Sequence, residues 1–150
     1  MCDDCQPGSY CPERGMAKSF PCNAGSYSDE NMQLACSKCP AGRFQRERGT
    51  ARCEMCGAGK FNQGVGSTNA SACTMCVAGK FTAFSGASSC TQCPEAHFVS
   101  EAGQTECKPC LDARETNTPD FTGCQLDDSL INSQESLVDS MFEDGLALSG

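Results

Sequence analysis

Large apolar side chains are sparse in this chain and stand at regular intervals among polar residues. An aromatic residue recurs at the same place in successive segments of about 17 residues, at Tyr10, Tyr27, Phe44, Phe61, Phe81 and Phe98. A glycine precedes each of the first five by two positions, and a second glycine follows most of the aromatics by five. Segments this short leave no room for long helices, and glycines so placed are typical of tight turns. The pattern predicts a tandem array of short β-hairpins and loops with little regular secondary structure.

Repetition at so short a period argues against one central hydrophobic core. Each unit is expected to contact only its neighbours in sequence, which gives an elongated array. Ile, Leu, Val and Phe together number 20 of 150 residues. Burial of so few apolar side chains does not offset a chain entropy of about 1–2 kcal/mol per ordered residue. The fold is therefore expected to be small, disulfide-rich and held by cross-links.

Most of the fifteen cysteines follow the same repeat, written C-x13-C-x2-C, with one loop extended to x16. The simplest scheme closes each loop on itself, which predicts the pairs Cys22–Cys36, Cys39–Cys53, Cys56–Cys73, Cys76–Cys90, Cys93–Cys107 and Cys110–Cys124. A closed loop of 15 residues contributes about 3 kcal/mol in the chain-entropy model. Many pairings are combinatorially possible, but a repeat favours one rule applied uniformly.

The two ends of the array depart from that rule. Ser19 stands where the first closing cysteine is expected, and Cys11 lies inside that loop instead, so we expect a Cys5–Cys11 bridge. Cys2 is then left over: it could close an earlier unit, pair with another chain or be a free thiol. The last unit keeps the cysteine spacing but loses the glycines and the aromatic. The array is thus predicted to span residues 2–124, as about seven units with a degenerate last one.

Two segments carry a resemblance to a known repeat: C-P-A-G-R-F-Q-R-E-R-G-T-A-R-C-E-M-C at 39–56 and C-V-A-G-K-F-T-A-F-S-G-A-S-S-C-T-Q-C at 76–93. They resemble the ephrin-receptor-like cysteine-rich repeat, which is related in style to modules of tumour-necrosis-factor receptors and growth-factor receptors. The resemblance implies an extracytoplasmic, disulfide-bonded binding or spacer element, with no catalytic residues.

The composition changes completely after Cys124. Residues 125–150 contain six acids and no base. Apolar residues recur there at helical spacing, among them Leu130, Leu137, Val138, Met141 and Phe142. This tail is predicted to form a short amphipathic helix at about 133–143 whose apolar stripe binds a partner protein. A disordered acidic extension is the alternative, because short isolated helices are marginal in water.

Charge excludes several functions. The net charge is −8, most of it in the tail, so the repeats carry no basic stripe for nucleic acid. The sequence contains no run of 18 apolar residues, so it predicts no transmembrane segment. A single histidine, His97, makes a catalytic or histidine-rich metal site hard to build. The sequence predicts no enzyme and no cofactor.

Zinc binding is an alternative, since the spacing C-x2-C-x13-C-x2-C comes near that of four-cysteine zinc sites. Such sites would use the cysteine pairs two at a time, whereas the same glycine and aromatic residues recur in every loop rather than in alternate loops.

Two features of the loops are candidate sites. Arg43, Arg46, Arg48 and Arg52 cluster in one loop. They form either a solvated face or a docking patch for an acidic partner. Asn69-Ala70-Ser71 is a glycosylation sequon in the one extended loop, so Asn69 is predicted to carry a glycan if the chain enters the secretory route.

Three functional hypotheses follow. The first is a non-enzymatic extracytoplasmic module, secreted or at the cell surface, that acts as a disulfide-stapled rod for protein–protein interaction or spacing. It would bind protein partners as part of a larger chain or complex. The second is a peripheral subunit in an oxidising organelle lumen that stabilises a membrane-associated assembly through its tail. The third is a zinc-binding protein.

Overall fold

The computed structural model describes residues 5–15 and 18–129. The regular elements of these residues are seven two-stranded antiparallel ribbons and one 3₁₀ turn, Ala70–Ala72, and Asp128 and Ser129 are also helical. The ribbons are β1 Ser9–Tyr10 with β2 Phe20–Pro21, β3 Ser26–Tyr27 with β4 Ser37–Lys38, β5 Arg43–Phe44 with β6 Glu54–Met55, β7 Lys60–Phe61 with β8 Thr74–Met75, β9 Lys80–Phe81 with β10 Thr91–Gln92, β11 His97–Phe98 with β12 Lys108–Pro109, and β13 Glu115–Asn117 with β14 Cys124–Leu126. The predicted tandem array of disulfide-rich hairpins is confirmed. The predicted tail helix at 133–143 lies outside the described residues.

The units are numbered 1 to 7 from their first cysteines, and units 1 to 6 place their ribbons at equivalent positions. In unit 3 the first strand, Arg43–Phe44, lies four and five residues after Cys39. The second strand, Glu54–Met55, is the x-x of the next C-x-x-C. A ribbon of two residues per strand is not stable alone. The Cys39–Cys53 bridge supplies the missing constraint, because it closes the loop directly before the second strand.

Seven disulfides occur among the described residues, and six of them close one full loop each. They join Cys5–Cys11, Cys22–Cys36, Cys39–Cys53, Cys56–Cys73, Cys76–Cys90, Cys93–Cys107 and Cys110–Cys124. Cys2 lies outside the described residues. No helix in residues 5–15 or 18–129 is long and apolar enough to cross a membrane.

Backbone hydrogen bonds join each unit to the next. The amide of Gly42 in unit 3 donates to the carbonyl of Asn62 in unit 4 (2.7 Å), and the amide of Gly66 in unit 4 donates back to the carbonyl of Cys39 (2.7 Å). The Asn62 amide in turn donates to the carbonyl of Ala87 in unit 5 (3.1 Å). Equivalent bonds recur along the array, so neighbouring units are stacked by their main chains and not only linked by sequence.

Contacts also reach the second neighbour, which corrects the expectation that each unit contacts only the next. A Cβ placed on Gly42 would clash with the carbonyl oxygen of Gly86, two units further along. The same relation holds between Gly8 and Gly49, between Gly25 and Gly66, and between Gly59 and Gly103. The nearest-neighbour prediction was wrong because a glycine backbone has no side chain to hold the next-but-one unit away.

Most of the buried side chains fall into two columns, each formed by equivalent positions of successive units. One is formed by the first cysteines of units 1 to 6, each 3% exposed or less. The other is formed by the residue six positions later in each unit, which is buried even where it is polar: Cys11, Ser28, Gln45, Asn62, Thr82 and Val99. Cys11 therefore occupies a core position, and its bridge to Cys5 joins the two columns. Among the recurring aromatics, only Phe44 is buried to a comparable degree.

At the last junction the turn amide donates to a side chain, where the other junctions use a main-chain carbonyl, while the amide of Val99 still donates to the carbonyl of Phe121 (3.0 Å). Ala96 replaces the glycine and adopts the same left-handed conformation (φ 58°). Its amide donates to Oδ1 of Asn117 (2.7 Å). Nδ2 of Asn117 donates to the carbonyl of Pro94 (3.1 Å) and to that of His97. One amide side chain thus holds the turn of unit 6 against the degenerate unit 7.

Replacing Asn117 by leucine is expected to destabilise this junction by about 1–2 kcal/mol, because three backbone groups lose their partner. Thr116→Leu in the same strand is the matched control, since no side-chain hydrogen bond of Thr116 occurs among the described residues. Denaturant unfolding with the bridges intact gives the change, and amide exchange of Ala96 locates it. Equal effects of the two substitutions would contradict the role assigned to Asn117.

Candidate binding groove

An open groove of about 730 Å³ lies between units 2 and 3. This volume is within the range of about 300–1,000 Å³ that is usual for ligand clefts. We call it the charged groove, and it is lined by Tyr27, Asp29, Glu30, Pro40, Arg43, Ala51, Arg52 and Cys53. The ribbon strand β3 and the loop after it supply the residues from unit 2, and β5 and the end of its loop supply most of those from unit 3.

The two units give the charged groove opposite charges. Unit 2 contributes the acidic residues Asp29 and Glu30, and unit 3 contributes the basic residues Arg43 and Arg52. Within the described part of the chain, the one ion pair joins Arg46 to Glu54 (3.5 Å), outside the groove. The four charges of the groove therefore have no salt-bridge partner among the described residues. They are available to a ligand.

Buried polar side chains fix the backbone that carries three of these charges. Oγ of Ser28 donates to the carbonyl of Glu30 (3.3 Å), and Nε2 of Gln45 donates to the carbonyl of Arg52 (2.7 Å). The carbonyl of Arg43 accepts from Nδ2 of Asn62 in unit 4 (3.1 Å). Ser28, Gln45 and Asn62 belong to the second buried column and are at most 5% exposed. The core of the array thus positions the groove.

The structure divides the predicted arginine cluster. Arg43 and Arg52 line the charged groove together. Arg46 lies outside it, paired with a side chain of its own ribbon, and Arg48 is exposed. Proximity in sequence suggested one patch of four arginines, but the loop turns between them and sends two to the groove and two to its outer face.

Sequence reasoning missed the acidic half of the groove and its supports. Asp29 and Glu30 lie in the loop of the preceding unit, and nothing in the sequence shows that this loop adjoins Arg43. The polar residues of the second buried column would be assigned to the surface from the sequence alone. A signal was nevertheless present, because they recur at a fixed distance after each first cysteine, directly after each aromatic.

The other predicted sites are placed as follows. Asn69 is exposed and begins the 3₁₀ turn of the extended loop, where its Oδ1 accepts from the amide of Ser71 (3.3 Å). Its glycosylation stays a prediction. His97 is half-buried in β11, with Nδ1 2.9 Å from the carbonyl oxygen of Glu95. The predicted partner-binding residues of the tail, Leu130, Leu137, Val138, Met141 and Phe142, lie outside the described residues.

One group of metal-ligand types occurs in the described ranges, formed by Cys110, Glu115 and Cys124. The two cysteines form a disulfide with each other. Their sulfur atoms are therefore not available as thiolate ligands, and the group is a structural bridge beside an acidic side chain.

Comparison with known proteins assigns this repeat architecture to a family. A search of curated proteins finds no match. The model of one family, described as tyrosine-protein kinase ephrin type A/B receptor-like, matches residues 25–73 and 79–124. The two matched segments cover more than half of the chain and contain most of the loops and bridges described above. The chain belongs to the ephrin-receptor-like cysteine-rich repeat family.

Proposed function

We propose that this chain is a non-enzymatic extracytoplasmic module that binds a protein partner in the charged groove. The observation that carries the proposal is a groove with four charged residues, three of them on backbone held by buried Ser28, Gln45 and Asn62. A backbone that is held in place before binding lowers the conformational entropy that binding costs.

The disulfides support an extracytoplasmic location. Disulfides form and persist in oxidising compartments, outside the cytosol or in an organelle lumen. Fourteen cysteines are bridged in the described ranges, which leaves the zinc hypothesis without sets of free thiolates there. The lumenal-subunit hypothesis depends on the tail, and deletion of 125–150 tests it: an unchanged association with the assembly would exclude the tail as the anchor.

Site-specific photo-cross-linking tests the groove directly. A benzoylphenylalanine at Ala51, which lines the groove, is expected to capture a protein from the surface and secreted proteins of the source cells. The matched control carries the same group at Val77, which is 60% exposed and lies in unit 5. Capture should be competed by excess unlabelled protein and abolished by Arg43→Glu/Arg52→Glu. Equal capture at both positions, or none at Ala51, would overturn the proposal.

A further inference from the structure

We propose that the charged groove takes an extended peptide segment whose side chains alternate between basic and acidic. This inference rests on the proposed function for the existence of a protein partner and goes beyond it by naming the partner's sequence character. It also replaces the acidic partner suggested by the arginines alone.

The distribution of charge between the two units excludes a ligand of one sign. A purely acidic ligand such as a sulphated glycan would be attracted by Arg43 and Arg52 but repelled by Asp29 and Glu30. A purely basic ligand would be attracted by the two acidic residues but repelled by the two arginines. Complementarity of sign governs which partners are accepted and which are rejected. A fitting ligand therefore presents cations toward unit 2 and anions toward unit 3.

An extended chain can meet this requirement by simple alternation. Successive side chains of a β-strand point to opposite sides. In a sequence of alternating lysine and glutamate, all the lysines face one side and all the glutamates face the other. Laid along the junction of units 2 and 3, such a segment matches both sides at once. A segment with its lysines and glutamates in separate blocks has the same composition but presents each sign to both sides.

A fixed backbone makes this selection sharper than a mobile one would. The carbonyls of Glu30, Arg43 and Arg52 are held by hydrogen bonds from the buried column. These bonds hold the backbone that bears the three charged residues, so adjustment to an unsuitable ligand falls mainly to their side chains. Tyr27 and Pro40 add uncharged surface to the groove, which an extended peptide can cover.

Fluorescence anisotropy with labelled octapeptides tests the inference on the intact oxidised protein. The probes are an alternating lysine–glutamate peptide, a block peptide with all its lysines before all its glutamates, octaglutamate and octalysine. Low ionic strength is used because exposed charges are screened by salt. The alternating peptide is expected to bind about tenfold more tightly than the block peptide of equal composition. Equal affinity of these two peptides, or tightest binding of octaglutamate or octalysine, would overturn the inference.

Charge variants assign the effect to the groove. Arg43→Glu/Arg52→Glu makes both sides acidic and should shift the preference to octalysine. Adding Asp29→Lys/Glu30→Lys to it exchanges the two signs and should restore the preference for the alternating peptide. The matched control is Arg46→Glu/Arg48→Glu, an equal change of charge in the same loop but outside the groove, which should keep the wild-type preference. A shift of preference to octalysine in that control would show diffuse attraction and contradict the assignment.

The two proposals can fail separately. Capture at Ala51 together with no preference among the peptides would retain the protein-binding groove and reject the alternating-charge partner. A clear peptide preference without capture at Ala51 would retain the chemistry of the groove and reject its use by a partner in the source cells.

Discussion

Gly42→Ala is expected to lower the free energy of unfolding by about 2–5 kcal/mol. Two effects add. Gly42 has φ 83°, a left-handed conformation that costs an alanine about 1–2 kcal/mol. The new Cβ would also meet the carbonyl of Gly86 two units away, and overpacking of this kind costs about 1–3 kcal/mol. Denaturant unfolding followed by circular dichroism, with the bridges intact, measures the change.

Two glycines of the same chain separate these effects. Gly15 has almost the same backbone angle (φ 87°), but a Cβ there meets no atom of the described residues within 4 Å. Gly15→Ala should therefore show the conformational cost alone. Gly57 has no positive φ and no close contact within the described ranges, so Gly57→Ala should be neutral or slightly stabilising. If Gly42→Ala cost no more than Gly15→Ala, contact between second-neighbour units would contribute nothing to stability.

Complete reduction is expected to unfold the array at 25 °C. Six of the bridges close loops with sequence separations of 14 to 17, each worth about 3 kcal/mol in the chain-entropy model. Their sum exceeds the stability of about 5–15 kcal/mol that is usual for a folded domain. Loss of amide dispersion in NMR spectra on reduction measures the effect. Alkylation before reduction should label at most one cysteine, and alkylation afterwards all fifteen.

The effect of removing a single bridge should depend on the place of that bridge in the array. Cys56→Ser/Cys73→Ser removes a central bridge and a fully buried column position, so it should weaken the junctions on both sides. Cys110→Ser/Cys124→Ser removes the last bridge, whose cysteines are half-buried, and should leave the amide-exchange protection of units 1 to 5 unchanged. A reduced protein that keeps native dispersion, or equal effects of the two bridge deletions, would contradict a fold held mainly by its disulfides.

Several features of the fold followed from the sequence because they are local and periodic. The cysteine spacing predicted loops closed on themselves, and the glycine and aromatic marks predicted short ribbons. The glycines that follow the aromatics by five lie in the loop between the two strands. Gly49, for example, has φ 75°, and its amide donates to the carbonyl of Cys22 in the preceding unit.

The features that the sequence did not show are those that depend on which units touch. Ser28, Gln45 and Asn62 are polar, and polarity ordinarily indicates a surface position. Stacking of the units buries them, and their hydrogen bonds make the burial tolerable. The acidic and basic halves of the charged groove likewise come from different units, so neither half identifies the site alone.

The amino-acid sequence by itself determined the repeat, the hairpin in each unit and the class of cross-link, since each depends on residues within one loop. Only the tertiary structure decided the contacts between second neighbours, the polar buried column and the pairing of opposite charges across units 2 and 3. The physical reason is that spacing along the chain specifies closure of a loop, whereas the juxtaposition of two loops depends on how their backbones stack.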